Sequence, residues 1–264
     1  MNTYQVPIEI GGLPIGIRTT DPGFVDILRN RYGHFVRDDA PVTCLLDIET
    51  ILPPQVAPDE PVSVTRSGDE WLVQRGDFRA RWNPAERRGA VRQTANPYSI
   101  DAVLRIIHSL VLANEGGFLL HGASAIRNGK AFVFSGVSGA GKTTISRLAP
   151  ADVDLLTDEI SYVRRDGRGY RAYGTPFAGE LAKIGVNVSA PLEALYLLAK
   201  GPENRIDEIA PADAARAILR NMLFFAEDSR LVNQLFETAL EVVANVAVRR
   251  LTFVPDQRVW DLIG

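Results

Sequence analysis

The pattern of hydrophobic and polar residues predicts a chain that mixes β-strands with helices. In residues 1–90, short apolar or alternating segments are separated by turn residues, which is typical of strands. The pair Gly11-Gly12 between the first two segments predicts a hairpin, because glycine adopts the positive φ that a tight turn requires. The predicted strands are Tyr4–Ile10, Leu13–Arg18, Val42–Ile48, Val62–Arg66, Glu70–Gln74 and Phe78–Trp82.

Helical spacing of apolar residues marks several other segments. A short helix is predicted over Pro22–Tyr32. Ser99 suits the N-cap of a longer helix that runs to about Asn114, because a serine hydroxyl can accept from the first free backbone N–H groups. The apolar face of that helix would carry Ile100, Val103, Leu104, Ile107, Leu110 and Val111. Further helices are predicted from Pro211, from Asp228 or Ser229, and over Gln257–Ile263, with a strand at Arg249–Val254.

A glycine-rich segment in the middle of the chain adds a candidate chemistry. It follows the apolar run Ala131–Ser135 and precedes a predicted helix. Its spacing is that of a Walker A phosphate loop, in which backbone N–H groups surround phosphates, a lysine contacts the β- and γ-phosphates, and a hydroxyl binds Mg²⁺. The helix N-terminus would add partial positive charge. The predicted nucleotide-binding residues are Gly136, Val137, Ser138, Gly139, Ala140, Gly141, Lys142, Thr143 and Thr144.

The segment before this loop predicts a second hairpin. Asn128-Gly129 favours a two-residue turn, because both residues tolerate positive φ. The resulting register places Gly122 opposite Ser135 and His121 beside the start of the loop. An antiparallel partner for the strand that enters the loop differs from the crossover connections of parallel sheets. The register therefore predicts a position for His121 beside the phosphate loop, with a packed polar residue as the alternative.

Two adjacent acidic residues, Asp158 and Glu159, predict the second half of the site. We expect them at the end of a strand, where neighbouring side chains point to opposite faces. A kinase needs carboxylates for Mg²⁺ and for accepting the proton of the attacking hydroxyl. Thr143 and Asp158 are the predicted metal ligands. Asp158 and Glu159 are the candidates for the base that accepts the proton. The alternative is a solvated acidic strand end.

Three motifs, taken in order, carry a resemblance to a known family. His121-Gly122, Gly136–Thr143 and Leu156–Ile160 resemble the C-terminal catalytic domain of HPr kinase/phosphorylase. The resemblance implies a P-loop kinase core of the HPr kinase/phosphoenolpyruvate carboxykinase type, with ATP and Mg²⁺ as cofactors. It also implies a catalytic role for His121, which would lie near the phosphates and assist proton transfer. It also implies that Asp158 and Glu159 stand where the family has two aspartates. The whole chain resembles the broader group of HPr-kinase-related proteins, which includes kinases that phosphorylate serine in ribosomally made peptide precursors.

Two further residues are candidates for contacts with the substrate. Glu180 ends a glycine- and proline-containing segment, and it would contact the acceptor or a second metal. Arg205 would reach phosphate oxygens, since a guanidinium suits that geometry. A solvated turn residue is the alternative for Arg205.

Composition sets limits on partners and on the compartment. The chain has 264 residues, of which 46% are hydrophobic and 23% charged, and a net charge of −3. We expect no nucleic-acid partner and no membrane association, because the sequence shows neither a basic excess nor an apolar run of spanning length. A single cysteine, Cys44, excludes an intrachain disulfide. Without a secretory signal pattern, we expect a cytoplasmic location.

These observations predict an α/β or α+β protein with two parts. Residues 1–95 form a β-rich region for substrate binding or assembly, and residues 96–264 form the HPr kinase-like catalytic domain, with the proline-rich stretch Leu52–Pro61 as a loop. The favoured hypothesis is an ATP-dependent kinase acting on a serine of a protein or precursor peptide. A small-molecule kinase and an ATP-binding regulator without transfer activity are the alternatives. Phosphorolysis and assembly into a homo-oligomer stay open.

Overall fold

The computed structural model describes residues 2–52, 60–167, 169–181 and 184–264. Strands and helices are mixed, as the sequence predicts. Contacts divide the chain into unit 1, which is Met1–Val111 with Phe224–Asp228, and unit 2, which is Leu112–Leu223 with Ser229–Gly264. The domain ranges 1–95 and 96–264 assign roles and stay predictions. Most of the predicted loop Leu52–Pro61 falls at 53–59, outside the described residues.

Unit 1 is built on one sheet. Its seven strands in the described part of the chain are ordered β1-β2-β3-β7-β6-β5-β4. Gly11 and Gly12 adopt φ of 62° and 73° and form the predicted turn between β1 and β2. The elements are β1 (Tyr4–Ile10), β2 (Leu13–Thr19), α1 (Pro22–Tyr32), β3 (Cys44–Ile51), β4 (Ser63–Ser67), β5 (Glu70–Arg75), β6 (Phe78–Asn83), β7 (Arg88–Thr94) and α2 (Pro97–Glu115), of which residues 97–111 belong to this unit.

Two details of unit 1 differ from the sequence prediction. Strand β7 was not predicted, because Val91 is its one large apolar residue. It forms because it pairs with β3 on one side and with β6 on the other, and neighbouring strands decide strand formation as much as local preference does.

The predicted N-cap of α2 is also wrong. The helix begins at Pro97, a residue type that favours the first helical turn. The Asn96 carboxamide oxygen accepts from Tyr98 N at 2.9 Å and so takes the capping role. The Ser99 hydroxyl instead donates to Asp77 Oδ2 at 2.5 Å, a residue distant in sequence.

Unit 2 contains the second sheet. Nine strands of the described chain form it, ordered β10-β8-β11-β12-β13-β16-β14, with β15 on β8 and β9 between β8 and β13. The predicted terminal helix is a 3-10 helix, Gln257–Leu262. The elements are β8 (Phe118–Arg127), β9 (Lys130–Ser135), α3 (Lys142–Arg147), β10 (Asp154–Thr157), β11 (Ile160–Asp166), β12 (Gly169–Tyr173), β13 (Ser189–Lys200), β14 (Arg205–Glu208), α4 (Pro211–Asn221), β15 (Met222–Leu223), α5 (Ser229–Asn245) and β16 (Ala247–Phe253).

The hairpin of β8 and β9 confirms the predicted register. Asn128 and Gly129 form the turn with φ of 52° and 73°. The ladder runs from the pair Arg127 and Lys130 to the pair Gly122 and Ser135. The chain thus enters the glycine-rich loop directly opposite the middle of β8.

A cluster of buried aromatic residues contacts the strand that enters the loop and the helix that follows it. Phe134 of β9 stacks on Tyr196 with ring centroids 5.8 Å apart and meets the edge of Trp260 at 5.4 Å. The Trp260 indole N–H donates to the carbonyl oxygen of Ile145 in α3 at 3.2 Å. The C-terminal 3-10 helix therefore fixes the helix that follows the loop. In the described part of the chain, no helix is both long and apolar enough to cross a membrane.

Candidate functional site

The glycine-rich loop connects the end of β9 to the start of α3. Three of its residues, Gly136, Gly139 and Gly141, have φ of 158°, 76° and 113°, which favour glycine. A Cβ at Gly136 would lie 2.9 Å from the Ala140 Cβ. At Gly141 it would lie 2.7 Å from Phe253 Cζ. The loop conformation therefore depends on glycine at these positions.

Lys142 lies largely buried inside this loop, with 9% of its surface exposed. Its ammonium donates to the carbonyl oxygens of Gly136 at 2.9 Å and Val137 at 3.2 Å. Burial lowers the pKa of Lys142, and the nearby Glu180 carboxylate opposes that shift. A poorly solvated cation among loop carbonyls gains strongly from an anionic ligand.

Glu180 reaches the loop through a hydrogen bond to Thr143. The Thr143 hydroxyl donates to Glu180 Oε2 at 3.1 Å. The two backbone N–H groups that flank Glu180, those of Gly179 and Leu181, each donate to one oxygen of Asp158 at 2.9 Å. Asp158 is 4% exposed. Its carboxylate therefore holds the Glu180 backbone beside the loop.

Asp158 and Glu159 do not lie on a strand, which corrects the sequence prediction. Strand β10 ends at Thr157, and the chain bends before β11. The Thr157 hydroxyl accepts from the N–H groups of Glu159 and Ile160, both at 3.2 Å, and stabilises the bend. Both acidic side chains consequently approach Gly179, where an added Cβ would lie 2.8 Å from Glu159 Cβ and 2.9 Å from Asp158 Oδ2.

His121 is half-buried at the middle of β8. The Ser135 hydroxyl donates to the His121 carbonyl oxygen at 2.8 Å, which joins β8 to the end of β9. The N–H of Gly122 donates to the carbonyl oxygen of Glu159 at 2.9 Å. Burial lowers the pKa of His121, and the positive charge of Lys142 lowers it further. A neutral imidazole at neutral pH can accept a proton.

Arg205 makes its side-chain hydrogen bonds outside this group of residues. It begins β14, where its guanidinium donates to Asp207 at 3.0 Å and to Glu203 at 3.1 Å. Both contacts are exposed, and Arg205 lies on a strand rather than in a turn, so its contact with phosphate oxygens stays a prediction.

The structure connects most predicted site residues to the glycine-rich loop or to one another through backbone and side-chain hydrogen bonds. Within the described ranges, no three or more His, Cys, Asp or Glu side chains cluster as a metal site would require. Mg²⁺, however, commonly uses one or two carboxylates together with substrate phosphates and water. The Thr143 hydroxyl with the carboxylates of Glu180 and Asp158 fits that donor set.

Several contributions to the site have no signal in the sequence. The amide groups of Gly179 and Leu181 lie 21 and 23 residues beyond Asp158, and any residue type supplies a backbone N–H. Phe253 packs against Gly141 from β16, at the far end of the chain. Tertiary contacts alone place these groups at the loop.

Comparison with known proteins gives one family match. The family described as SynChlorMet cassette protein ScmC matches residues 90–263. No curated protein matches the chain. Among solved structures, the HPr(Ser) kinase/phosphatase from Coxiella burnetii is similar over 51% of this chain and 78% of that chain, with 10% identity and a TM-score of 0.27. A TM-score of this size does not indicate a shared fold.

Proposed function

This chain belongs to the family of SynChlorMet cassette protein ScmC, and we propose that it is an ATP-dependent phosphotransferase. The acceptor is a serine hydroxyl of a protein or of a ribosomally made peptide precursor. One observation carries the proposal. A glycine-rich loop holds a desolvated lysine, and the next residue, Thr143, is hydrogen-bonded to a carboxylate whose backbone Asp158 fixes.

The loop residues bind the substrate ATP. The backbone N–H groups of Gly136–Thr144 would contact phosphate oxygens. The Lys142 ammonium, which now donates to the Gly136 and Val137 carbonyl oxygens, would contact the β- and γ-phosphates instead. Such a site accelerates transfer by positioning the phosphates and by neutralising charge that develops on them. Desolvation of Lys142 strengthens its attraction to the transferred group.

The carboxylates serve the metal and the acceptor. Mg²⁺, when bound, would neutralise charge on the phosphates, and Thr143, Glu180 and Asp158 would hold it. Asp158 already accepts two loop N–H groups, and each of its oxygens keeps a lone pair for a further contact. We assign proton acceptance from the serine hydroxyl to Glu159 or to the neutral His121, and a positioning role to Asp158.

The experiment uses γ-labelled ATP and Mg²⁺ with a panel of acceptors. The panel contains HPr, serine-containing precursor peptides, free serine and other small hydroxyl compounds. We expect label on a peptide or protein serine, at a rate reduced by about 10²-fold or more in Lys142→Ala. Lys130→Ala removes an exposed lysine that pairs with Glu193 and is the matched control. Label on a small compound alone would favour a small-molecule kinase. ATP binding without any transfer would favour a nucleotide-binding regulator.

A further inference from the structure

One face of the unit 1 sheet is rich in arginine. On β2, β3, β5, β6 and β7, every second residue points to this face. The register places Ala90 between Asp47 and Arg81, and it places Arg79 directly opposite Arg92. The name "arginine face" refers to the arginines that share this side of the sheet, which are Arg18, Arg79, Arg81, Arg88 and Arg92.

Carboxylates on the same strands neutralise only part of this charge. These five strands lie wholly within the described chain, and on this side they carry three acidic residues. Asp47 pairs with Arg18 at 2.6 Å. Glu49 pairs with Arg92 at 2.9 Å, and Glu70 pairs with Arg81 at 2.6 Å. Positive charge is therefore in excess on the arginine face.

Arg79 carries one of the two excess charges, and the other remains where Arg18 and Arg88 share the Asp47 carboxylate. Among residues 2–52, 60–167, 169–181 and 184–264, the Arg79 side chain has no hydrogen bond, ion pair or ring contact. Its cross-strand neighbour is Arg92, and like charges directly opposite each other destabilise a sheet. A pair of neighbouring exposed guanidinium groups, of which only Arg92 is paired with a carboxylate, is suited to bind an added anionic group.

The arginine face is concave around Arg79 and Arg92. A hollow of about 920 Å³ lies above Ala90, and its floor includes the half-buried Leu72. A second hollow of about 480 Å³ adjoins the same residues, because Gln74, Arg79 and Arg92 line both. The small Ala90 side chain leaves room for a chain that lies across the strands.

We propose that the arginine face binds an acidic segment of a polypeptide, whose carboxylates pair with Arg79 and Arg92. Nucleic acid suits the surface less well, because Asp47, Glu49 and Glu70 are interleaved with the arginines and repel a uniformly charged phosphate backbone. A polypeptide can place carboxylates at the unpaired charge and small apolar side chains over Ala90 and Leu72. This binding goes beyond phosphoryl transfer and needs no nucleotide.

The test measures peptide binding by fluorescence anisotropy without ATP. The probe is a fluorescein-labelled peptide of Glu-Ala-Gly repeats, compared with the same peptide in Gln-Ala-Gly repeats and with labelled oligothymidylate. We expect the glutamate peptide to bind the full chain most tightly, and more weakly as salt rises to about 0.5 M. Arg79→Glu should weaken binding by about tenfold or more, as expected for the loss of one charge-assisted contact.

Two control variants separate this surface from general electrostatics. Arg79→Lys keeps the charge and should retain most of the affinity. Arg216→Glu makes the same charge change at an exposed position of α4 in unit 2 and should leave binding unchanged. Equal binding of the glutamine peptide, preferred binding of oligothymidylate, no binding of the glutamate peptide, or no effect of Arg79→Glu would overturn the proposal. Loss of phosphoryl transfer alone would leave it standing.

Discussion

At the scale of single residues, the site depends on groups that are held away from water. Lys142 is confined among loop carbonyls, and Asp158 is buried with both oxygens bonded to backbone N–H groups. A buried charge-assisted hydrogen bond is costly to lose, because its partner cannot return to water. Asp158 therefore affects stability as well as the position of Glu180.

Asp158→Asn tests this dual role. Asparagine keeps one acceptor oxygen and presents an NH₂ group to the second loop N–H, so one hydrogen bond is lost. We expect a loss of about 1–3 kcal/mol in the free energy of unfolding, measured by urea denaturation. Asp154→Asn, at an exposed position of the adjoining β10, is the control and should change stability little. Equal stability of both variants would show that Asp158 does not fix the Glu180 backbone.

The lowered pKa of His121 predicts a pH dependence of stability. Below the unfolded value of about 6.5, the unfolded chain binds more protons at this position than the folded chain does. The contribution of His121 to the free energy of unfolding therefore falls as the pH drops from the pKa of the unfolded state through the pKa of the folded state. Above both values it contributes nothing to the pH dependence.

Urea denaturation of wild type and His121→Gln at about pH 7.5 and about pH 5.5 measures this effect. The wild-type protein should lose more stability on acidification than His121→Gln does. His34→Gln, at an exposed position of unit 1, is the control and should follow the wild type. The same acid-dependent loss in wild type and His121→Gln would contradict the burial of a neutral imidazole beside Lys142.

At the scale of elements, the hairpin of β8 and β9 positions the site. Its turn sets the register, and the register places His121 beside the residues that enter the loop. The bend after β10 then brings Asp158 and Glu159 to Gly179. A local change in the turn should thus affect the strand pair on which the loop rests.

Gly129→Val tests the contribution of the turn. Gly129 adopts φ of 73°, where a side chain with a Cβ is strained. We expect a loss of about 1–2 kcal/mol from this left-handed conformation, measured by thermal or urea denaturation. Gly169→Ala is the control, since the nearest atom that an added Cβ there would approach among the described residues is Asp166 O at 3.9 Å. Destabilisation of both variants to the same extent would argue against a specific role of the turn.

Local sequence signals predicted the elements whose geometry is local. The Asn128-Gly129 pair specified the hairpin register, because turn chemistry alone decides it. The prediction of Ser99 as the N-cap of α2 is wrong because the Ser99 hydroxyl donates to Asp77, which is distant in sequence. The bend at Asp158 was missed because the Thr157 side chain and the Gly179 and Leu181 amides determine it together. The Thr157 contact is local, whereas the contacts with the Gly179 and Leu181 amides exist only once the chain has folded.

At the scale of the whole molecule, each compact unit has its own sheet. Unit 1 presents the arginine face, and unit 2 carries the glycine-rich loop with its carboxylates. In unit 2 the end of the chain returns to the loop, because Trp260 packs on Phe134 and donates to Ile145. The integrity of the loop therefore depends on residues at the C-terminal end of the described chain.

Trp260→Ala should destabilise unit 2 strongly. Trp260 is 1% exposed, and removal of a buried aromatic side chain costs about 3–5 kcal/mol. We expect a lower urea midpoint and weaker ATP binding by the protein that stays folded. Leu262→Ala removes an exposed apolar side chain from the same 3-10 helix and should have little effect. Similar effects of the two variants would contradict this view of the C-terminal segment.

Phosphoserine formation on matched acceptors tests the central claim most directly. A serine-containing precursor peptide and its serine-to-alanine counterpart would be incubated with the protein, ATP and Mg²⁺, and the products mapped by mass spectrometry. The proposed mechanism requires phosphate on the serine peptide alone, with a rate reduced by about 10²-fold or more in Lys142→Ala and unchanged in Lys130→Ala. Equal phosphorylation by Lys142→Ala, or no phosphoserine from wild type that binds ATP, would contradict it.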